Sequence, residues 1–128
     1  MRAIFLDIDG VICCNNRGHL EPEKLERLRS VVQQTGAKIV LSTDWRRVPK
    51  LKTILIQTLQ SYGMDVIGST KMYPPWQPVR PVEIVEWLTE YNKTAAAEGL
   101  DPITAYAAVD DRSLCQESGG DGLRGKPR

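Results

Sequence analysis

Two carboxylates follow an apolar run near the start of the chain, in the segment Phe5-Leu6-Asp7-Ile8-Asp9-Gly10-Val11. If the run is a β-strand, alternation of side chains puts Asp7 and Asp9 on the same side. Two such charges in a partly dry site repel each other, and a divalent cation relieves that repulsion. Asp7 is then able to attack as a nucleophile while Asp9 transfers a proton. An Asp-Gly pair also forms ordinary turns, so this motif alone leaves that alternative open.

Further side chains of chemical interest follow other predicted strands or begin a predicted helix. They are Ser42 and Thr43 after the second strand, Arg80 at the third helix, and Asp110 and Asp111 after the fourth strand. The carboxyl ends of parallel strands meet at one edge of a sheet, where α/β proteins bind their ligands, so we expect these groups to converge. A nucleophile, a hydroxyl donor, a cation and an acidic pair are what phosphoryl transfer requires, because the transferred group is rich in anionic oxygens.

Alternating strands and helices must position these groups. Apolar runs predict four strands, at residues 3–8, 37–41, 64–67 and 103–109. Apolar residues at helical spacing predict three helices: one from Pro22 to a C-cap at Gly36, one with an apolar face from Leu51 to Tyr62, and one from about residue 82 to Gly99. This alternation predicts an α/β fold, with right-handed crossovers and a parallel sheet covered by helices on both faces.

Size and composition exclude several classes of protein. The chain has 128 residues, which fits one domain, and its net charge of +1 gives no overall field that would attract nucleic acid or an acidic membrane. No apolar stretch is long enough to span a bilayer, and no signal peptide is visible. Cys13, Cys14 and Cys115 are odd in number and two are adjacent, which argues against disulfides and for a reducing, cytoplasmic compartment. We expect a folded core over residues 1–118 and a flexible, glycine-rich tail over 119–128.

Four segments, taken in order, resemble the motifs of the haloacid dehalogenase (HAD) superfamily of aspartate-nucleophile phosphohydrolases. Arg80 is the best fit to the third motif, which asks for one basic residue. The other three motifs are matched by Asp7-Ile8-Asp9-Gly10-Val11, Lys38-Ile39-Val40-Leu41-Ser42 and Ala108-Val109-Asp110-Asp111. The resemblance implies a three-layer α/β/α, Rossmann-like fold. It also implies a fifth strand, for which the glycine-rich and polar sequence after Leu114 gives no signal, so the domain is expected to lack it.

The resemblance also implies a role for each protein group in catalysis. Asp7 would form an aspartyl-phosphate, and Asp9 would protonate the leaving oxygen and later take a proton from water. Ser42 would bind a phosphoryl oxygen, with Thr43 as the alternative, and Arg80 would hold Asp7 and the phosphate.

Lys71 is the alternative to Arg80 as the basic residue of the third motif. Magnesium is the implied cofactor, since it prefers oxygen ligands and keeps several waters. Its implied ligands are Asp7, the backbone carbonyl of Asp9, Asp110 and Asp111.

A finer resemblance concerns the substrate. Ser42-Thr43-Asp44-Trp45-Arg46 and Val109-Asp110-Asp111-Arg112 look like the HAD domains of RNA-repair proteins and the phosphatase half of polynucleotide kinase-phosphatases. There the hydrolysed phosphate lies at a nucleic-acid end, which implies such an end as the partner of this chain. Arg46 either binds a second phosphate of that substrate or is simply solvated.

The spacing of the motifs leaves no room for a cap domain, either between Asp9 and Ser42 or between Ile67 and Arg80. We therefore expect an open site, which favours a bulky substrate such as a polymer end. Two alternatives stay open: a phosphatase of small phosphomonoesters, and a non-catalytic domain that binds phosphate or nucleic acid. A phospho-acceptor signalling domain is disfavoured, because that class carries its acceptor after a later strand and without Asp-x-Asp-Gly. The oligomeric state is not predicted.

Overall fold

The computed structural model describes residues 1–8, 11–13, 19–43, 45, 48–71 and 80–110. The expectations for Asp9, Arg46, Asp111 and the tail at 119–128 lie outside these residues. Strands and helices alternate along the chain, as the apolar pattern predicts. In chain order they are β1 (Arg2–Leu6), α1 (Pro22–Thr35), β2 (Lys38–Leu41), α2 (Pro49–Ser61), β3 (Val66–Ser69), α3 (Arg80–Glu98) and β4 (Ala105–Val109).

The four strands form one parallel sheet in the order β3-β2-β1-β4. The chain first adds β2 and β3 on one side of β1, and then returns to place β4 on the other side. The strand order therefore reverses between β1 and β4. In open α/β sheets, the crevice beyond the carboxyl ends of the strands at such a switch point is where ligands bind.

Helices cover both faces of the sheet, which confirms the three-layer α/β/α arrangement. On the α1/α2 face, Leu6 and Leu41 pack with Leu25 of α1 and Leu55 of α2. On the α3 face, the buried strand residues Phe5 and Val40 pack with Ile84 of α3. The alternation of side chains along β1 and β2 thus decides which residues face which helices.

The ends of α1 follow from local sequence. Pro22 occupies the first helical position, where its missing N–H costs nothing. Gly36 ends the helix with φ of 70°, and its N–H donates to the carbonyl of Val32 at 2.8 Å. Glycine reaches this left-handed conformation without a side-chain clash, so the expected C-cap is confirmed.

The strands β3 and β4 begin two residues later than the apolar runs predict. The amide of Met64 donates to the carbonyl of Leu59 at 3.1 Å, so the backbone of Met64 closes the turn that follows α2. Before β4, the side chain of Asn92 donates to the carbonyl of Ile103 at 3.1 Å and accepts from its amide at 2.8 Å. A side chain from α3 thus takes the backbone groups of Ile103 that a strand would have used.

An apolar groove runs beside β4 on the α1/α2 face. It consists of two adjoining cavities of about 310 and 280 Å³, which share Ile4, Val31 and Val109 in their linings. Within the described residues, β4 pairs with β1 alone. Among those residues, no helix is both long and apolar enough to cross a membrane.

Candidate active site

Four polar residues form a row along the carboxyl edge of the sheet: Thr70, Ser42, Asp7 and Asp110. Each directly follows the last residue of its strand. The sheet hydrogen bonding continues one residue beyond the strands, from the amide of Asp7 to Val109 at 2.9 Å, of Ser42 to Leu6 at 2.9 Å, and of Thr70 to Leu41 at 3.0 Å. The row therefore has the same order as the strands, with Asp7 and Asp110 at the switch point.

Alternation of side chains places this row on the α3 face. Leu6 and Leu41 face α1 and α2, so the residue after each faces the opposite layer. Asp7, Ser42 and Thr70 are 5%, 1% and 3% exposed, and the side chain of Asp110 is 4% exposed. Polar groups are rarely buried so deeply unless they are paired or have a chemical task.

Arg80, the first residue of α3, connects two members of the row. Its Nη1 lies 3.0 Å from Oδ2 of Asp7 and 2.7 Å from Oδ2 of Asp110. The arginine side chain is itself 5% exposed. One buried nitrogen thus contacts the carboxylates that directly follow β1 and β4. The alternative cation, Lys71, is exposed and has no ion pair with a described residue.

The environment of Asp7 makes its ionisation costly. The pKa of Asp7 is raised from 3.8 to about 6, and burial is the largest cause. The charge of Arg80 lowers this pKa, while the charge of Asp110 and a hydrogen bond with its side chain raise it. The amide of Ile8 donates to Oδ1 of Asp7 at 2.8 Å and lowers the pKa further, though by less. The guanidinium of Arg80 therefore does not fully offset the cost of burying the charge of Asp7.

The two hydroxyls after β2 differ in how they are used. In the described part of the chain, Oγ of Ser42 is buried and has no hydrogen-bond partner. The neighbouring Thr43 is also fully buried, but its Oγ1 accepts a hydrogen bond from the amide of Trp45 at 3.3 Å. Burying a hydroxyl that has no hydrogen-bond partner destabilises the fold, and a hydrogen bond to a ligand oxygen would compensate for this. Ser42 is therefore the hydroxyl that is better placed to bind a ligand.

The donor groups fit a hard cation in chemistry, although the described ligand set is small. Asp7 and Asp110 bring carboxylate oxygens together, which are the ligands that magnesium prefers. Over residues 1–8, 11–13, 19–43, 45, 48–71 and 80–110, no group of three or more His, Cys, Asp or Glu side chains is close enough to hold a metal. The other two predicted ligands, Asp9 and Asp111, lie outside those ranges, as does Arg46.

Sequence reasoning missed two buried polar residues, one in this row and one in the first turn of α3. Thr70 directly follows β3 as Ser42 follows β2. The apolar run ends at residue 67, two residues before the observed end of β3 at Ser69, so this shared position was not visible in the sequence. Glu83, in the first turn of α3, is 5% exposed and takes part in further polar interactions. From the sequence, Glu83 could be assigned only to a helix. Its burial depends on how α3 packs on the sheet, which the sequence pattern does not specify.

One comparison with known proteins is decisive for the family. A family model described as "HAD domain in Swiss Army Knife RNA repair proteins" matches residues 3–123. The chain belongs to this HAD family. No curated protein and no solved structure matches the chain. Membership agrees with the parallel α/β fold, and it indicates an activity of the hydrolase or phosphatase type, in a family named for RNA repair. The match continues 14 residues past Val109, the end of β4 (123 minus 109).

Proposed function

We propose that this HAD domain is a phosphomonoester hydrolase that works through Asp7. The observation that carries the proposal is the contact of Arg80 with both Asp7 and Asp110 at the switch point of the sheet. A buried cation beside a nucleophile can neutralise a phosphoryl group as charge builds up on its oxygens. The hydroxyl of Ser42, next in the row, supplies a hydrogen-bond donor for one of those oxygens.

The reaction would proceed in two displacements at phosphorus. Asp7 attacks the phosphorus, an aspartyl-phosphate bond forms, and the bond from phosphorus to the ester oxygen breaks. Asp9 gives its proton to the leaving oxygen. A water then attacks the phosphorus, Asp9 takes a proton from it, and release of inorganic phosphate restores the carboxylate of Asp7. Arg80 and Ser42 hold the phosphoryl oxygens throughout, with Thr43 as the predicted substitute for Ser42.

Magnesium is the proposed cofactor, held by the carboxylates of Asp7, Asp110 and Asp111 and by the backbone carbonyl of Asp9. When bound, it would supply positive charge to phosphoryl oxygens and favour the ionised form of Asp7. The raised pKa of Asp7, of which burial is the largest cause, supports this assignment, because a bound cation would offset the cost of ionising a buried carboxylate.

A phosphorylated nucleic-acid end is the proposed substrate. The family description supports it, since it refers to RNA repair. The short connections of the fold support it too. Ile8 and β2 are separated by residues 9–37, which include the 14-residue helix α1, and β3 and α3 by only ten residues, 70–79. Such connections hold no cap domain that would exclude a polymer. Arg46 is then a predicted contact for a second phosphate. A phosphatase for small phosphomonoesters is the alternative to be tested.

The test is magnesium-dependent phosphate release from a 3′-phosphorylated oligonucleotide and from p-nitrophenyl phosphate. We expect turnover that EDTA abolishes and that is lost in Asp7→Asn. Glu90→Gln, which makes the same carboxylate-to-amide change on an exposed part of α3, should keep full activity. Faster turnover of the oligonucleotide supports the nucleic-acid end, whereas turnover of the aryl phosphate alone supports the alternative. Full turnover by Asp7→Asn, or none by the wild type, contradicts the proposal.

A further inference from the structure

We propose that the apolar groove beside β4 is a docking site for an acidic, amphipathic helix of a partner protein. The groove lies on the α1/α2 face of the sheet and consists of two adjoining cavities of about 310 and 280 Å³. The row of polar residues that contains Asp7 lies on the opposite, α3 face. The groove is therefore a second surface of the domain, distinct from the candidate active site.

The described residues form a wall on only one side of this groove. Its floor is formed by β1 and β4 and its wall by α1, together with the turns beside them. No described residue lines the side beyond β4, and within the described part of the chain β4 pairs with β1 alone. In layered domains, an apolar strip of a sheet face is covered by another packed element. The groove thus leaves room for one more helix beside α1.

The apolar residues of the groove suit the apolar stripe of a helix. Val31 lines both cavities and is nevertheless 48% exposed. On the β4 side, the small side chains of Ala105 and Ala107 let a helix backbone approach the sheet closely. The α1 wall runs from Lys24 to Thr35, which is about 16 Å at roughly 1.5 Å per residue. A partner helix of about three turns, with apolar residues on one face, matches this length.

The charges around the groove specify the sign of the partner. Among the described residues, every charged side chain that lines the groove is basic: Arg2, Lys24 and Arg27. Lys24 is partly neutralised by Glu21 at 3.0 Å, but Arg2 and Arg27 have no ion pair with a described residue. Because α1 runs back between two parallel strands, its first half and the start of β1 lie at opposite ends of the groove. Acidic residues beside the apolar stripe of a partner would thus meet positive charge at both ends.

The experiment measures the binding of a fluorescein-labelled peptide to the full chain by fluorescence anisotropy. The probe is a stapled helical peptide of about three to four turns, with leucines along one stripe and glutamates at the other positions. A second peptide carries lysines in place of the glutamates. We expect the acidic peptide to bind with a micromolar Kd, and the basic peptide to bind at least about 10-fold more weakly.

Two groove variants and two matched controls locate the binding site. Val31→Glu places a charge among the apolar residues and should weaken binding of the acidic peptide by about 10-fold or more. Arg27→Glu reverses a charge at the rim and should weaken it by about 3- to 10-fold. Ile54→Glu, at an exposed apolar residue of α2, and Arg29→Glu, on α1, lie outside the lining and should leave the Kd unchanged.

Circular dichroism and thermal unfolding establish that the variants fold, and Val31→Gln takes the place of Val31→Glu if that variant does not. A photoreactive p-benzoylphenylalanine in place of Thr35, at one end of the groove, should crosslink to the acidic peptide. A crosslink to residues 111–123 of the same chain, or to a second copy of the chain, in place of the peptide overturns the inference. Absence of peptide binding, equal affinity for both peptides, or an unchanged Kd in both groove variants overturns it as well.

Discussion

Replacing Asp7 by asparagine should change stability in a way that depends on pH. The pKa of Asp7 is about 6 in the folded protein and 3.8 as its ordinary value. The folded state therefore holds a proton that the unfolded state has lost between these two values. As pH rises through this window, the wild type loses stability, and above about pH 6 this loss is complete. Asp7→Asn has no carboxyl group to ionise at this position, so it does not lose stability in this way.

The size of the effect follows from the shift in pKa. A difference between 3.8 and about 6 corresponds to roughly 3 kcal/mol over the whole window. Between about pH 4.5 and about pH 7.5 the expected share is about 2 kcal/mol, because part of the window lies below the first value. The pKa already includes the attraction of Arg80, and that side chain has a second ion-pair partner, Asp110 at 2.7 Å, which the substitution leaves in place.

The assay is urea unfolding of wild type and Asp7→Asn, followed by circular dichroism in EDTA across this pH range. The free energy of unfolding of the variant, minus that of the wild type, should rise by about 2 kcal/mol from the low pH to the high pH. Glu90→Gln, an exposed carboxylate changed in the same way, should show no comparable rise. A difference that stays constant with pH, or that falls as pH rises, would refute the electrostatic account of the site.

Three further variants test other parts of the structure. Ser42→Ala removes a buried hydroxyl that has no partner among the described residues, so we expect thermal unfolding at the wild-type temperature or slightly above it. The same variant should lose about 10- to 100-fold in kcat/KM. A marked drop in its unfolding temperature would contradict this reading of the hydroxyl. Gly68→Ala would bring a methyl group to 2.9 Å from the ring of Trp87, which is held by stacking on Tyr91, so urea unfolding should show a loss of about 1–3 kcal/mol. Unchanged stability would mean that the indole moves freely. Asn92→Ala deletes both hydrogen bonds to the backbone of Ile103 and should lower the free energy of unfolding by about 1–3 kcal/mol. Hydrogen exchange at the amide of Ile103 should become faster. Exchange at the wild-type rate would contradict the role of the Asn92 side chain.

Much of the fold could be predicted, because its main determinants are local. Apolar runs mark the strands, and Pro22 and Gly36 mark the ends of α1. The starts of β3 and β4 were misplaced because they depend on contacts from outside the strands, through Leu59 of α2 and Asn92 of α3. The order of the strands, with β1 between β2 and β4, depends on pairings distant in sequence, and the apolar pattern does not specify it.

The apolar pattern also overstates how much of α2 the sheet covers. The predicted face runs from Leu51 to Tyr62, and Leu55 and Leu59 on it are fully buried. Leu51 and Ile54, however, are 37% and 44% exposed. Periodicity identifies the side of a helix that is apolar, but the width of the buried strip depends on how the helix lies on the sheet.

The residue types of the candidate site could be predicted from the sequence, but the contacts between them required the structure. The order of the motifs identified Asp7, Ser42 and Asp110, because each directly follows a strand. The sequence left Arg80 and Lys71 as alternatives, since both flank the same connection, and the contacts of Arg80 with Asp7 and Asp110 became apparent only in the structure. The raised pKa of Asp7 also required the fold, because burial is its largest cause.

The most direct test of the account is chemical trapping of the aspartyl-phosphate. Borohydride reduces an aspartyl-phosphate to homoserine, which mass spectrometry locates in the sequence. During turnover with magnesium and a phosphorylated substrate, we predict homoserine at residue 7 in the wild type and none in Asp7→Asn. Phosphate release by the wild type without homoserine at that position, or with homoserine at Asp110 instead, would contradict the central role of Asp7.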